Sequence, residues 1–380
     1  MMPAAGDVFL VTGANGFLGQ EIMKLLIEEN HDLSEVRILD KVIGQDFVKT
    51  LQALVGCRIG LKVFKGDVRD KEVLQKACQG VTCVIHTASV IDIWGIISNE
   101  ELETINVEGN RLLLETCIQK NVKIFIYTSS VEAMGPNARG DPISNGDEET
   151  VYLSKLKFLY SRTKYHAEQF ALTVNGSLLP NGERMVTCAL RPTYIYGANC
   201  RFVLGHLDEG IINGDVLPRF SRKEALVNPV YVGNVAWAHV LLARAMKDQD
   251  KKEIVGGKFY YVTDDTPHMS YADLNHELFS PLGITVSAKL KMPLLLMYFI
   301  AFILETMAFL LRPFITYVPK VNQNLITILN TKFTFTSHKA RNDFGYMPRY
   351  SWEVAKKQTV AWLASVLPER RDFLKKTKQR

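Results

Sequence analysis

The stretch LYSRTKYHAE, residues 159–168, sets Tyr160 and Lys164 four positions apart, so in a helix they stand one turn apart on one face. That spacing suits proton transfer. A phenol is a poor base at neutral pH because its ordinary pKa is about 10, and lowering it by three units takes about 4 kcal/mol of preferential stabilisation of the phenolate. A lysine ammonium alongside, together with a positively charged nicotinamide ring, supplies that stabilisation in a partly desolvated site. Tyr160 then takes the proton of a substrate hydroxyl as hydride leaves the same carbon, while Lys164 also holds the nicotinamide ribose. Upstream, FIYTSS ends in Ser129 and Ser130, two hydroxyls at the end of an expected strand where a substrate oxygen would sit.

A second candidate has different chemistry. FYYVTDDTPH, residues 259–268, puts Asp264 beside Asp265, and hydride transfer has no need of a carboxylate pair. A carboxylate in an apolar pocket, its pKa raised by desolvation, can take a proton from an activated carbon and return it elsewhere. The plainer reading is a turn, since Asp-Asp-Thr-Pro is good turn chemistry and Ser270, three before Asp273, marks a helix start.

The cofactor site is read from VTGANGFLG. Gly13, Gly16 and Gly19 allow the tight turn, the approach of backbone to a pyrophosphate, and close packing of helix on sheet. Ala14, Asn15, Phe17 and Leu18 complete the loop. VRILD ends in Asp40, twenty-one residues past Gly19, where an acid accepts hydrogen bonds from the adenosine ribose and repels a 2′-phosphate. NAD is therefore expected over NADP. Asp67 and Val68, in KGDV, are expected to border the adenine.

These residues need a scaffold. Short β-branched runs alternate with helical stretches through the first half, which predicts a parallel sheet covered by helices. Strands are expected at 7–13, 36–40, 62–68, 82–88 and 122–130, with 185–192 closing the sheet. Helices are expected at Phe17–Glu29 and near Asn99–Lys120. The division expected is a cofactor domain over 1–195, a substrate lobe over 196–290, an apolar helix over 291–312 and the rest of the lobe over 313–380.

MPLLLMYFIAFILETMAFLL, residues 292–311, carries Glu305 as its only charge. As a helix it is about 30 Å long, the thickness of a bilayer core. Its eleven Leu, Ile and Phe residues favour lipid by roughly 5 kcal/mol, of which a central acid returns about 3. Tyr298, Ala301, Glu305, Ala308 and Arg312 form one small or polar stripe, which predicts a helix lying in one leaflet with that stripe against the protein. A core helix is the competing reading.

Composition bounds the rest. A net charge of +5 over 380 residues is too small and scattered for nucleic acid. Its one concentration, the tail PERRDFLKKTKQR at 368–380, reads as a solvated helix end or as attraction to anionic lipid. The six cysteines lack a CxxC pair and read as reduced thiols. No metal site is expected, and His86 reads as packing near the cofactor. The acidic run Asp147–Glu149 reads as a solvated face.

The motifs VTGANGFLGQ, GDV, VIHTAS, INVEGN, FIYTSS, GPN, CALRPTYIYG, VNPVYVGNVAWAH, FYYVTDDTPHMSY and LLRP span nearly the whole chain. In them the sequence resembles the extended short-chain dehydrogenase/reductase superfamily, and within it the 3β-hydroxysteroid dehydrogenase/Δ5-Δ4 isomerases. The resemblance implies a Rossmann-like doubly wound α/β fold with a smaller C-terminal substrate lobe and a hydrophobic membrane-associating helix. It implies NAD-dependent oxidation of a 3β-hydroxy-5-ene steroid and a double-bond shift to the 3-oxo-4-ene product, with isomerase function on the residues matching Asp264 and Asp265. Endoplasmic reticulum and mitochondrial membranes are the implied location, and self-association into a homo-oligomer is left open. Between Tyr160 and Lys164 the steroid enzymes usually carry proline, histidine and serine, whereas this chain has Ser161, Arg162 and Thr163. Two other readings compete: a sugar-nucleotide or sterol enzyme on the same scaffold, and a catalytically silent NAD-binding regulator.

Overall fold

Seven short apolar runs pair into one sheet. β1 (Asp7–Thr12), β2 (Leu33–Asp40), β3 (Gly60–Lys65), β4 (Cys83–His86), β5 (Ile124–Thr128), β6 (Val186–Pro192) and β7 (Phe259–Val262) lie in the order β7-β6-β5-β4-β1-β2-β3, each neighbour parallel. The computed structural model describes residues 6–92, 96–311, 314–315, 317–319 and 321–378. Central strands such as β5, IFIYT, are buried at every position because helices cover both faces of the sheet. α1 (Phe17–Glu29) and α4 (Val232–Lys247) pack on one face; α2 (Gly109–Gln119) and α3 (Leu159–Thr173) pack on the other. Strand order reverses at β1, whose neighbours are β2 and β4, so the crevice beyond their C-terminal ends is the ligand-binding position of this Rossmann-like fold.

Two expectations change. The strand at 185–192 does not close the sheet, because the chain leaves through the lobe and returns with FYYV as β7 outside it. That edge is covered: Glu148 accepts the outward Tyr261 N–H at 2.8 Å, so the acidic run is not simply a solvated face. The long helix expected near Asn99–Lys120 runs without a break over 99–119, with a π-helical turn over Thr104–Glu108 between the α-helix Asn99–Glu103 and α2.

The lobe is built from two short parallel pairs, Tyr194–Tyr196 with Pro229–Tyr231 and Val216–Arg219 with Thr285–Leu290, and the helix Tyr271–Phe279. Ser270 caps that helix by accepting from Asp273 N at 3.2 Å, the start its sequence announced. α5 (Leu294–Leu311) follows, then α6 (Gln323–Asn330). The polar stripe of α5 faces α6. Tyr298 Oη meets Thr327 Oγ1 at 3.0 Å, and Glu305 accepts from Gln323 N at 2.7 Å and Gln323 Nε2 at 2.6 Å. Met297 and Ala301 bury against Ile326. Arg312, the last member of the expected stripe, lies outside the described residues. Away from α6, Leu295, Phe299, Phe302, Phe309 and Leu310 remain exposed.

After α5 the chain rejoins the body. Phe333–Phe335 pairs with Ile143–Gly146, and α7 (Trp352–Lys378) is tied by ion pairs Lys356–Glu277 and Arg370–Asp208.

Candidate active site

The glycine loop follows β1 into α1. Gly13 has φ +68°, and a Cβ there would stand 2.8 Å from the backbone of Ala88 after β4; one on Gly19 would stand 2.2 Å from Gly13 O. Side chains are excluded, so the N-terminus of α1 is drawn against the strand ends with its first-turn N–H groups available to an anion. Ala14 is fully buried and Leu18 nearly so, while Asn15 and Phe17 are half-buried and Gly16 is exposed.

Asp40 joins this loop. One carboxylate oxygen accepts from Asn15 N at 2.9 Å and the other from Val42 N at 3.2 Å. Asp67 is gripped by Arg69, at 2.9 Å from Nε and 2.7 Å from Nη2. Hydrogen bonding from Arg69 holds the Asp67 carboxyl below the usual range despite partial burial. Val68 packs under α2, where a Cβ on Gly109 would meet its Cγ2 at 2.7 Å. The shape excludes side chains along the pyrophosphate path and puts a carboxylate at the ribose end, and this fits a dinucleotide.

The candidate proton-transfer pair lies beyond β5. α3 presents Tyr160 and Lys164 inward, both buried, with Thr163 between them bonded to Tyr160 O at 2.8 Å. Lys164 Nζ donates to the Thr128 carbonyl at 2.6 Å and lies 4.7 Å above the Tyr127 ring. Ser129 Oγ is buried and has no partner among the described residues. Ser130 Oγ accepts from Glu132 N at 3.1 Å and also bonds the Tyr160 phenol.

Electrostatics here are set by burial more than by the lysine. Burial, then the Glu132 charge, pushes Tyr160 well above the ordinary phenol range, with Ser130 opposing. Burial lowers Lys164 to about 7, against the pull of Glu168 and Glu132. The expected lowering of Tyr160 by Lys164 is thus outweighed in the protein itself. Arg162 takes no part, since its guanidinium donates to Lys157 O at 2.9 Å in the preceding loop.

Four of the six expected catalytic residues are brought together. Asp264 and Asp265 lie on the loop that follows β7. Asp264 accepts from Tyr231 N and Asn234 Nδ2, each at 2.8 Å, and from Thr266 N at 3.0 Å, anchoring its loop to the start of α4. Burial raises its pKa, and those bonds oppose the rise. Asp265 is exposed. The charges of both act on Tyr196 and Tyr346, whereas the carboxylates acting on Lys164 are Glu168 and Glu132.

Three supporting groups escaped the sequence reading. Asn106, on the π-turn, binds Val90 on both sides (N–H at 2.8 Å, carbonyl at 3.0 Å) and donates to Thr163 Oγ1 at 3.1 Å, joining the loop after β4 to the catalytic helix. An asparagine between Ile105 and Val107 on the expected helix was the available signal. Glu168, fully buried, pairs with Arg191 of β6. Glu132 lies on the turn Val131–Ala133 with Ser161 Oγ 3.4 Å from its carboxylate, and burial raises it to about 7, opposed by Ser161 and the Lys164 charge. Nothing in its spacing marked it. His86 donates to or accepts from Thr12 Oγ1 at 2.6 Å and is buried beneath the crevice.

The family model for the 3-beta hydroxysteroid dehydrogenase/isomerase family matches residues 10–294. The chain belongs to that family. Its fold is shared with many solved structures. The structure of gox2253 is 26% identical, covers 94% of this chain and 98% of its own, and has TM-score 0.67. DesIV, a dTDP-glucose 4,6-dehydratase from Streptomyces venezuelae solved with NAD, is 17% identical over 94% of this chain and 97% of its own, TM-score 0.69. A UDP-glucose-4-epimerase from Stenotrophomonas maltophila with bound NAD is 16% identical over 96% and 99%, TM-score 0.69. For the last two the likeness is one of fold.

Proposed function

We propose that this protein oxidises the 3β-hydroxyl of 3β-hydroxy-5-ene steroids with NAD and then shifts the double bond from Δ5 to Δ4. The coarser statement, an NAD-dependent enzyme of dehydrogenase or epimerase type, follows from the family and the glycine-loop fold. The observation that carries the reaction is Tyr160 standing one turn from Lys164, with the Ser130 hydroxyl at its phenol. Bound NAD supplies the hydride acceptor and a positive ring. Ser129 and Ser130 orient the substrate oxygen, Tyr160 takes its proton, and Lys164, its Nζ held by the Thr128 carbonyl, contributes positive charge that favours the phenolate.

The exposed apolar face of α5 supports a lipophilic substrate and a lipid surface. Because residues after α5 pair and pack with the body, a single-leaflet placement keeps the fold intact where a spanning helix would sever it. Endoplasmic reticulum and mitochondrial membranes are the proposed sites. A nucleotide-sugar substrate is the second reading, drawn from the enzymes that share the fold. Purified protein given a 3β-hydroxy-5-ene steroid, UDP-glucose and dTDP-glucose in turn separates the two. NADH formation together with enone absorbance on the steroid alone is the expected result; turnover of a nucleotide sugar instead would overturn the proposal.

A further inference from the structure

We propose that the strap over residues 151–157, which leads into the catalytic helix, is a second lipid-contacting element and selects a bilayer surface carrying anionic headgroups. The inference rests on the single-leaflet placement of α5 proposed above and gives that surface its chemistry.

The strap reads VYLSKLK, and exposure alternates along it as side chains do along an extended chain. Val151 is 99% exposed and Leu153 75%, and Lys155 and Lys157 continue the outer row. Tyr152, Ser154 and Leu156, between them, are half-buried. Two apolar side chains followed by two ammonium groups suit a lipid interface. The apolar pair enters the acyl boundary, and the lysines stay among the headgroups on their flexible stems.

The backbone beneath this row is fixed. Asn137, itself buried, donates Nδ2 to the Leu153 carbonyl at 3.0 Å and accepts from Lys155 N at 2.6 Å. Tyr152 Oη accepts from Asn137 N at 3.1 Å and donates to Asp141 O at 3.2 Å, and its ring meets Phe333 edge-on at 6.2 Å. Ser154 Oγ donates to Met134 O at 2.6 Å, and Arg162 closes the far end through Lys157 O. The fold therefore holds Val151 and Leu153 outward by design of its own hydrogen bonds.

Position joins the strap to α5. The Asn137–Asp141 loop that grips it packs on α6, where a Cβ on Gly140 would stand 2.9 Å from Thr331 Oγ1 and 3.9 Å from Thr327 Cγ2. Thr327 in turn meets Tyr298 of α5. Strap, loop, α6 and α5 are thus linked in one chain of contacts, and the strap ends at Phe158, the cap of the catalytic helix.

Charge chooses the lipid. Arg139, exposed on the gripping loop, adds a third cation to Lys155 and Lys157. The nearby acids are engaged: Glu149 pairs with Lys339, Asp147 accepts from Thr150 Oγ1 and Glu149 N, and Asp141 accepts from Asn137 Nδ2. An anionic leaflet answers both halves of the row. A second copy meeting the strap about a two-fold axis would set lysines against lysines.

The test floats full-length protein with vesicles of phosphatidylcholine alone, and of phosphatidylcholine and phosphatidylserine in equal parts, with NAD binding as the check of folding. Wild type is expected to bind the anionic vesicles more tightly, and added salt should shrink the difference. Lys155→Gln/Lys157→Gln is expected to lose about 30-fold in partitioning to anionic vesicles while keeping its binding to neutral ones. Val151→Ser/Leu153→Ser should weaken binding to both by about tenfold or more. An anionic preference that survives the lysine change overturns the proposal and leaves the basic tail as its source. Loss of a dimer in Val151→Ser/Leu153→Ser, with vesicle binding kept, assigns the strap to a second copy and also overturns it. Flotation that is lost in Leu295→Ser/Phe299→Ser but insensitive to both strap changes keeps the α5 placement and overturns this proposal alone. Wild type that floats with neither vesicle overturns both.

Discussion

Arg191 of β6 grips Glu168 of α3 through two parallel bonds, Nε to Oε2 at 2.7 Å and Nη2 to Oε1 at 2.5 Å, one turn beyond Lys164. The guanidinium also lies 3.6 Å from the Phe259 ring centroid and donates to Tyr261 Oη at 3.1 Å. The edge strand β7 and the catalytic helix are thereby locked to one cation.

Arg191→Leu should destabilise the fold by about 3–5 kcal/mol, because it strands a buried carboxylate rather than merely deleting a contact. Thermal unfolding measures this. The double variant Arg191→Leu/Glu168→Leu should recover much of the loss, and a loss as large as the single variant's would mean that the pair is not what holds the strand.

Tyr160→Phe should reduce oxidation by about 10²–10⁴-fold while NAD binding is kept, since only the phenolic oxygen is removed. Lys164→Ala should weaken both, as it serves phenol and ribose alike. Steady-state rates with NAD titrations check the pair; wild-type turnover by Tyr160→Phe would end the assignment.

Asp40→Ala should relax the preference for NAD over NADP. The ratio of kcat/KM for the two cofactors is the measurement. An unchanged ratio would hand the reading of the ribose to another group, with Lys41 and Arg69, both beside Asp67, the nearest cations.

Stability should fall as pH rises from 4.5 to about 7 on account of Glu132, whose folded-state pKa is raised across that interval. The native state binds the extra proton there, so its advantage is complete below the unfolded pKa and is lost on passing the folded one, by up to about 3 kcal/mol. Lys164, lowered from 10.5 to about 7, has the opposite slope above that window, its buried charge being relieved as pH rises. Chemical denaturation of wild type and Glu132→Gln at several pH values should show the two curves diverging between 4.5 and 7.

Replacing Leu295, Phe299, Phe302 and Phe309 with serine should detach the protein from vesicles. At about 1.5 kcal/mol or more for each side chain, the four changes amount to roughly four orders of magnitude in partitioning. Flotation of wild type and variant with phosphatidylcholine vesicles tests this, and protease treatment of the bound wild type should leave residues 313–380 accessible from the same side as the N-terminus.

Where local rules dominate, the sequence was a good guide. The ends of α1, the run of parallel strands, the Ser270 cap and the inward face of α3 follow from glycine spacing, β-branched runs and one-turn periodicity. What escaped depends on contacts distant in sequence. Nothing near Glu132 shows that Ser161 of α3 will stand against it, and nothing near Glu148 shows that it will cap the Tyr261 N–H, more than a hundred residues away. FYYV was visible as an apolar run, but its seat outside β6 depends on the whole lobe between them. Asp264 illustrates the converse: its turn chemistry was legible, and its anchoring of Tyr231 and Asn234 was not.

The pairing of Ile143–Gly146 with Phe333–Phe335 has a consequence for biosynthesis. Asn145 N bonds Thr334 Oγ1 across 189 residues. At roughly 5–20 residues per second the ribosome delivers that partner about ten to forty seconds after the first strand emerges. The apolar α5 is made during the interval, ahead of α6 and α7. A nascent chain therefore meets its surroundings with the greasy helix displayed and Ile143–Gly146 still without its partner strand. On the proposed membrane placement, capture by lipid would precede the completion of the enzyme.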